Sequence, residues 1–211
     1  MNKSIVIIDC GIGNLLSVKN SISYHGLDSV VTSDPSIIEK SSHIILPGVG
    51  AFPSAMQKLK SLNLIEPLNL AKKKGKFILG ICLGMQLLFS SSDEFENTKG
   101  LNLIDGNIVK LDQFEKAQNI KLPNIGWREL EEEANIKDIS ILKNIDKISQ
   151  FYFVHSYALK NCNKEVKILN SSYQNIRFPA VVNFNNIFGC QFHPEKSREQ
   201  GLKIIKNFLN L

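Results

Sequence analysis

The sequence of 211 residues predicts a single α/β domain with a mostly parallel central sheet flanked by helices. In the first half of the chain, apolar segments typical of buried strands alternate with segments of helical periodicity. Short glycine-containing turns separate them, as in a doubly wound sheet. We find no linker or internal repeat, so we expect one domain over residues 1–211.

Each element of the first half has a local signal. Residues 4–9 form an apolar, β-branched run typical of a strand buried on both faces. Leu15, Val18 and Ile22 then lie at helical spacing. By the same criteria we expect strands at 4–9, 28–33, 43–46 and 77–80, and helices at 15–25, 51–59, 64–73 and 83–90. Pro47 is expected to end the third strand.

The second half contains strands in direct succession, which favours hairpins and a smaller antiparallel sheet. Asn185 and Asn186 are a candidate hairpin turn, because asparagine tolerates positive φ. We expect strands at 108–111, 125–130, 151–159, 166–171, 180–184 and 187–192, followed by a helix at 202–209.

Composition excludes several classes of protein. Hydrophobic residues make up 43% of the chain and charged residues 21%, as in ordinary globular proteins. The chain has neither the run of about 18 apolar residues that a membrane span needs nor a signal peptide, so we expect a cytoplasmic protein. The net charge of +5 is scattered, and the lysine run at 72–76 fits a helix C-terminus. We therefore expect neither a nucleic-acid nor a membrane partner.

The four cysteines are too widely spaced to suggest a zinc site or a redox pair, and no CxxC motif occurs. We expect free thiols, no metal and no organic cofactor. Three of the cysteines can be small core residues, whereas Cys82 has a distinctive setting.

Cys82 lies in a Gly-x-Cys-x-Gly motif, Gly80 to Gly84, between an expected strand and an expected helix. This is the pattern of a nucleophile elbow with cysteine in place of serine. The glycines allow close passage of backbone, and the N-terminus of the helix favours a thiolate. The amide of Leu83 is then placed to bind an oxyanion.

His193 and Glu195 supply a candidate base and its orienting partner. Pro194 restricts His193 to an extended conformation, and residues two apart in an extended chain share a side. Glu195 can therefore accept a hydrogen bond from one ring nitrogen while the other reaches the thiol. The three residues predict a Cys–His–Glu triad.

The combination of Gly80-Ile81-Cys82-Leu83-Gly84-Met85-Gln86 with His193-Pro194-Glu195 resembles the class I glutamine amidotransferases. The resemblance covers nearly the whole chain and includes residues 9–14, 46–52, 126–127, 153–157 and 191–197. It implies the fold of that family and the hydrolysis of glutamine to glutamate and ammonia.

The resemblance also implies residue roles. Cys82 would be the nucleophile, His193 the acid–base and Glu195 its orienting group. The substrate would be held by Gln86, Ser156 and Tyr157, and the oxyanion by amides of Leu83, Val49 and Gly50.

Within the family, the chain resembles the stand-alone glutaminase subunits that supply ammonia to a separate (β/α)8-barrel cyclase in histidine biosynthesis. This implies a heterodimer, with Asn14, Trp127, Tyr152 and Lys196 at the interface or gate. The sequence departs from the usual pattern at Cys10, Asn124 and Arg128, expected near the partner face. A paralogous subunit serving a sugar-modifying barrel in surface-polysaccharide synthesis is the alternative.

Other interpretations of the sequence were weighed. A hydrolase acting on peptides or γ-glutamyl peptides would share the elbow and the histidine, and a binding-only subunit would not need all three triad residues. Gly11-Ile12-Gly13 lacks the third glycine of a dinucleotide-binding fingerprint, since residue 16 is Leu. His155, in an apolar strand, fits a hydrogen-bonded structural histidine better than a metal ligand.

Overall fold

A computed structural model describes residues 3–117, 119–131, 139–146 and 148–211. Thirteen strands occur in these ranges and form three sheets. The strands are β1 (Ile5–Ile8), β2 (Val30–Thr32), β3 (His43–Gly48), β4 (Phe77–Cys82), β5 (Ser91–Ser92), β6 (Thr98–Lys99), β7 (Gly106–Lys110), β8 (Asn124–Glu129), β9 (Gln150–His155), β10 (Tyr157–Cys162), β11 (Lys167–Tyr173), β12 (Ile176–Phe184) and β13 (Ile187–Cys190).

Six α-helices occur in the described ranges, and none is long and apolar enough to cross a membrane. They are α1 (Leu15–Ser23), α2 (Pro35–Lys40), α3 (Phe52–Ser61), α4 (Ile65–Lys73), α5 (Leu83–Leu87) and α6 (Arg198–Leu209). The lysine run lies at the C-terminal end of α4, where Gly75 has φ +68°, as expected for a helix terminus.

The central sheet has seven strands in the order β11-β12-β13-β4-β3-β1-β2. The five strands from β13 to β2 are parallel, and β12 and β11 continue the sheet antiparallel. The expected mostly parallel sheet is therefore confirmed, although some of the expected antiparallel strands extend it. Asn185, with φ 53°, turns the chain between β12 and β13 as predicted.

Helices cover both faces of this sheet, which explains the continuous apolar run of β1. Ile5 and Ile7 pack into one core with residues of α1 and α6, such as Ile22 and Phe208. Val6 and Ile8 pack into the other core, with residues of α3 and α4. A strand buried on both faces needs apolar side chains at every position.

Two smaller sheets lie beyond the central one. The order β10-β7-β5-β6 gives a four-stranded sheet with two antiparallel pairs and one parallel pair, and β8 and β9 form an antiparallel ribbon. The expected single strand at 151–159 is wrong, because the chain changes sheets at Ser156. The apolar run is continuous across that point, so the break depends on non-local pairing.

Three short elements were not predicted, and the ends of two predicted elements differ from expectation. Helix α2 and the short strands β5 and β6 were not predicted, and α5 ends at Leu87 rather than near residue 90. Strand β3 continues through Pro47 to Gly48 instead of stopping before it. Proline is accommodated there because β1 pairs with β3 only as far as Ile45, so no strand on that side requires an N–H from Pro47.

Candidate active site

Strand β4 runs directly into α5 at Cys82, at the edge of the sheet where the parallel strands end. Cys82 has φ 55° and ψ −111°, a conformation rare for residues with a side chain. Backbone strain of this kind, which costs about 1–3 kcal/mol, is concentrated at functional sites. The predicted elbow geometry is present.

Glycine is required on both sides of the elbow. A Cβ at Gly80 would lie 2.6 Å from Cα of Met85. A Cβ at Gly84 would lie 1.7 Å from the carbonyl oxygen of Leu46. These contacts fix α5 against the ends of β3 and β4, and they explain the glycine spacing of the motif in steric terms.

His193 follows β13, the neighbour of β4 in the sheet, and its backbone N–H donates to the carbonyl of Tyr152 at 2.9 Å. His193 itself is extended, as Pro194 requires, but Pro194–Lys196 form a 3-10 turn rather than an extended segment. Glu195 still reaches the ring, with 2.8 Å between Nδ1 of His193 and Oε1 of Glu195. Both side chains are buried.

The electrostatics of the site favour the charged form of His193. Burial of the ring opposes a charge, but a hydrogen bond and charge interactions with Cys82 and Glu195 outweigh it and raise the pKa of His193 to about 10. Since Nδ1 is bonded to Glu195, Nε2 is the ring nitrogen left for Cys82. Within the described residues this buried Nε2 has no hydrogen-bond partner.

The other three cysteines lie in settings that keep the thiol neutral. Burial is the main cause that raises the pKa of Cys10, Cys162 and Cys190. Fully buried Cys190 shows the largest of these shifts. The Cys82 thiol is instead placed 3.8 Å from the carbonyl oxygen of Val154, at a cavity wall.

A cavity of about 580 Å³ opens at Cys82 and His193, within the size range of small-molecule sites. The six residues for which the sequence predicted a substrate or oxyanion role all line it. They are Val49, Gly50, Leu83, Gln86, Ser156 and Tyr157. The structure thus brings together residues from the turn after β3, the end of β4, α5 and the β9–β10 junction.

Gln86 is fixed by protein partners. Its Nε2 donates to the carbonyl of Tyr157 at 2.9 Å and to Oε1 of Gln191 at 3.1 Å. Gln191 in turn places its own Nε2 3.9 Å from Sγ of Cys82. We had not predicted a site role for Gln191, although its position two residues before His193 was a usable signal.

Two charged residues of the cavity were also missed. Glu94 is half-buried and accepts a hydrogen bond from the amide of Phe52 at 2.7 Å, and burial raises its pKa. Lys110, at the end of β7, pairs with Asp112 at 2.7 Å. Neither lies in a recognisable motif, so only the long-range fold reveals them.

The four expected interface residues differ in what they contact. Tyr152 contacts both Trp127 and His193, with ring centroids 5.8 Å and 6.5 Å apart. Lys196 is exposed in the turn that follows His193. Asn14 caps α1 by accepting a hydrogen bond from the amide of Ser17 at 3.3 Å, and α1 contacts that same turn.

The three sequence departures are not all on the surface. Cys10 is 1% exposed and Asn124 is fully buried, so neither side chain is at the surface of the chain; that these positions lie near a partner face stays a prediction. Asn124 bonds instead to Arg128 and His155. As predicted, His155 has hydrogen-bond partners on both ring nitrogens.

Comparison with known proteins agrees with this geometry. Residues 6–211 match the glutamine amidotransferase class-I family. The chain is 45% identical over 202 residues to imidazole glycerol phosphate synthase subunit HisH of Caldanaerobacter subterraneus, covering 96% of this chain and 95% of that protein. It is 43% identical to the HisH subunit of Lactococcus lactis, with 98% of both chains covered.

The chain therefore belongs to the class I glutamine amidotransferase family. Solved structures agree at the level of the fold. A glutamine amidotransferase crystal structure matches with a TM-score of 0.75 at 14% identity, covering 97% of both chains. PurLQS from Thermotoga maritima matches with a TM-score of 0.72 at 19% identity, covering 100% of this chain and 99% of that one.

Proposed function

We propose that this chain is the glutaminase subunit of an imidazole glycerol phosphate synthase. It hydrolyses L-glutamine to glutamate and ammonia, and the ammonia passes to a separate (β/α)8-barrel cyclase that makes imidazole glycerol phosphate and AICAR. The observation that carries the proposal is the strained Cys82 elbow in one cavity with the His193–Glu195 pair. The relatives named HisH favour this role over the sugar-modifying alternative.

Cys82 attacks the side-chain amide carbon of glutamine as a thiolate, and the C=O π electrons move to the oxygen. His193, which the site keeps charged, then gives its proton to the departing nitrogen. The C–N bond breaks, ammonia leaves and a γ-glutamyl thioester remains. His193 then accepts a proton from water, which attacks the thioester and releases glutamate and the thiolate.

The tetrahedral oxyanion is stabilised by backbone amides. The amide of Leu83 lies at the start of α5, next to Cys82. The turn at Val49 and Gly50 lines the same cavity and supplies the second amide. One such donor contributes about 3 kcal/mol in the transition state. Gly50, with φ +105°, gives the turn the freedom to reorient its peptide groups.

The cavity also has charges that match free glutamine. The backbone at Ser156 and Tyr157 contacts the substrate, and Gln86 holds that backbone through the Tyr157 carbonyl. The Glu94 carboxylate pairs with the α-ammonium group, and Lys110 pairs with the α-carboxylate. Such a pair favours a free amino acid over a γ-glutamyl residue inside a peptide.

A partner covers the mouth of the cavity, because ammonia released into water would be protonated and diffuse away. Val49 and Phe95, two of its lining residues, are exposed apolar side chains, 42% and 83% respectively. Tyr152 lies beside His193 and Trp127 lies beside Tyr152, and these two residues act as the gate. Asn14 and Lys196 extend the interface on either side of the contact between α1 and the turn after His193.

The test is glutamate release by the chain alone and with a barrel cyclase and its nucleotide substrate. We expect slow release by the chain alone and a large increase in the complex. The reason is that binding of the cyclase shifts the Val49–Gly50 turn towards the conformation that presents the second oxyanion amide. The complex should also make product from ammonium salts. Hydrolysis of γ-glutamyl peptides in preference to glutamine, or equal turnover with and without the cyclase, would contradict the proposal.

A further inference from the structure

A chain of three hydrogen bonds runs from the ribbon of β8 and β9 to the cavity. Nε of Arg128 donates to Oδ1 of Asn124 at 2.7 Å. Nδ2 of Asn124 lies 3.0 Å from Nε2 of His155. Nδ1 of His155 lies 2.9 Å from the carbonyl oxygen of Tyr157. Asn124 and His155 are directly opposite each other in the ribbon, so the pairing register places them in contact.

Chemistry fixes the direction of every bond in this chain. A carbonyl oxygen only accepts, so Nδ1 of His155 must carry a proton. A guanidinium only donates, so Asn124 must receive that bond on its oxygen and turn its NH₂ group towards the ring. Nε2 of His155 is then an acceptor, and the ring is the neutral Nδ1–H tautomer.

The surroundings favour this neutral ring. His155 packs against the rings of Phe153 and Phe178, with centroids 5.8 Å and 5.0 Å away. Burial is the main cause that lowers the pKa of His155 to about 4; the bond to Tyr157 opposes this shift, and the charges of His193 and Arg128 add to it. The Arg128 guanidinium lies over the ring of Tyr173, 4.5 Å from its centroid.

The last of these three hydrogen bonds reaches the backbone carbonyl of Tyr157, which lies at the cavity. The Tyr157 oxygen accepts from both His155 and Gln86, and it lies one residue beyond Ser156, where the backbone crosses from β9 to β10. Ser156 and Tyr157 line the cavity. Ser156 lies between the two strands, where its carbonyl accepts a hydrogen bond from the amide of Leu111 at 2.9 Å, and Tyr157 pairs with Lys110. The two side-chain bonds to the Tyr157 carbonyl add a second set of contacts that fix the same backbone.

We propose that Arg128 and Asn124 are positioning residues, which act through the Nδ1–H tautomer of His155 to hold the Ser156–Tyr157 backbone for glutamine. This rests on the proposed function for its substrate.

The tautomer is measured by ¹⁵N NMR of the histidine rings in the full chain, independently of activity. In the wild type we expect a protonated Nδ1 and a bare Nε2 on His155. Asn124→Asp replaces the amide donor with a group that only accepts, so Nε2 should gain a proton. A protonated Nε2 in the wild type, or no change in the folded Asp variant, would overturn the proposal.

Kinetics of the complex with the cyclase test the positioning role. Asn124→Ala and Arg128→Gln should each raise the KM for glutamine about fivefold, the loss expected for one hydrogen bond, while kcat changes little. Ammonium-dependent synthesis should be unaffected. Arg177→Gln is the matched control, because Arg177 pairs with Glu131 outside the cavity.

The two proposals fail separately. If the wild-type complex does not hydrolyse glutamine, the proposed function is wrong, whatever tautomer NMR reports. If the wild type is active and both variants fold with an unchanged KM, the function stands and the positioning role is wrong.

Discussion

The backbone of Gly84 lies against the carbonyl oxygen of Leu46 so closely that a Cβ at residue 84 would approach within 1.7 Å of it. This contact joins the first turn of α5 to the end of β3. The contact fixes the direction in which α5 leaves the sheet, and therefore the position of Cys82, which lies between β4 and α5. The geometry of the nucleophile thus depends on a packing contact outside the triad.

Gly84→Ala should destabilise the fold by more than about 3 kcal/mol, because the overlap is with backbone that cannot move aside. Gly11→Ala is the matched control, since Gly11 has φ +73° but open space around the Cβ position. It should cost only the conformational strain, about 1 kcal/mol. Urea unfolding of both variants measures the difference, and equal losses would contradict the steric account.

Cys82→Ala should abolish glutamine-dependent synthesis by the complex and leave ammonium-dependent synthesis intact. The reason is that the cyclase still functions when ammonia is supplied directly. Cys162→Ala, which removes a half-buried thiol outside the cavity, should retain both activities. Loss of both activities in the Cys82 variant would mean that the role of Cys82 is assigned incorrectly.

His193→Ala should reduce glutamine hydrolysis by about 10³-fold or more, because it removes both the proton donor and the base. Glu195→Gln should be milder, since the ring remains and only its orientation and charge stabilisation suffer. The 2.8 Å bond between the two residues predicts this order. Steady-state rates at saturating glutamine measure it, and a Gln variant as inactive as the Ala variant would require a direct role for Glu195.

The free energy of unfolding should fall on acidification between pH 6.5 and pH 4. Burial lowers the pKa of His43 and His155 to about 4, whereas the unfolded chain titrates near 6.5. Their stabilisation is therefore present above pH 6.5 and lost as the pH falls. At pH 5, His155 alone should account for a loss of about 2 kcal/mol in the free energy of unfolding, relative to neutral pH. Urea titrations at pH 7 and pH 5 measure the change.

A His43→Leu variant isolates one part of this dependence. His43 packs against Phe77 and Phe208, and its Nε2 has no partner within the described residues. Leucine keeps the apolar contacts and cannot be protonated, so the pH dependence should become shallower. The raised pKa of His193 stabilises the fold equally at every pH below 6.5, and this stabilisation is lost only as the pH rises towards 10. His193 therefore does not affect the slope in acid. An unchanged acid slope in the variant would contradict the assignment.

Much of the fold could be predicted because its signals are local. The apolar run of β1, the spacing of Val18 and Ile22 in α1, and the glycines around Cys82 each reflect a short-range steric or packing requirement. Pro194 likewise restricts His193 within its own dipeptide. The parallel direction of the strands in the first half could be predicted from the alternation of strands and helices, because few connections are possible between such elements.

The rest depends on pairings that no local pattern encodes. The break at Ser156 arises because β9 and β10 find partners in different sheets. Glu94 and Lys110 reach the cavity from segments with no motif. The side chain of Asn124 is buried against His155, which lies directly opposite it in the ribbon, and no local pattern predicts this contact.

The most direct test of the central claim is the site of covalent labelling by a glutamine analogue that carries an electrophilic ketone. Mass spectrometry of peptides from the labelled complex identifies the modified residue. We predict a single adduct on Cys82, absent in the His193→Ala variant and suppressed by excess glutamine. An adduct on Cys10, Cys162 or Cys190 instead, or glutamine hydrolysis that continues with Cys82 unmodified, would contradict the account.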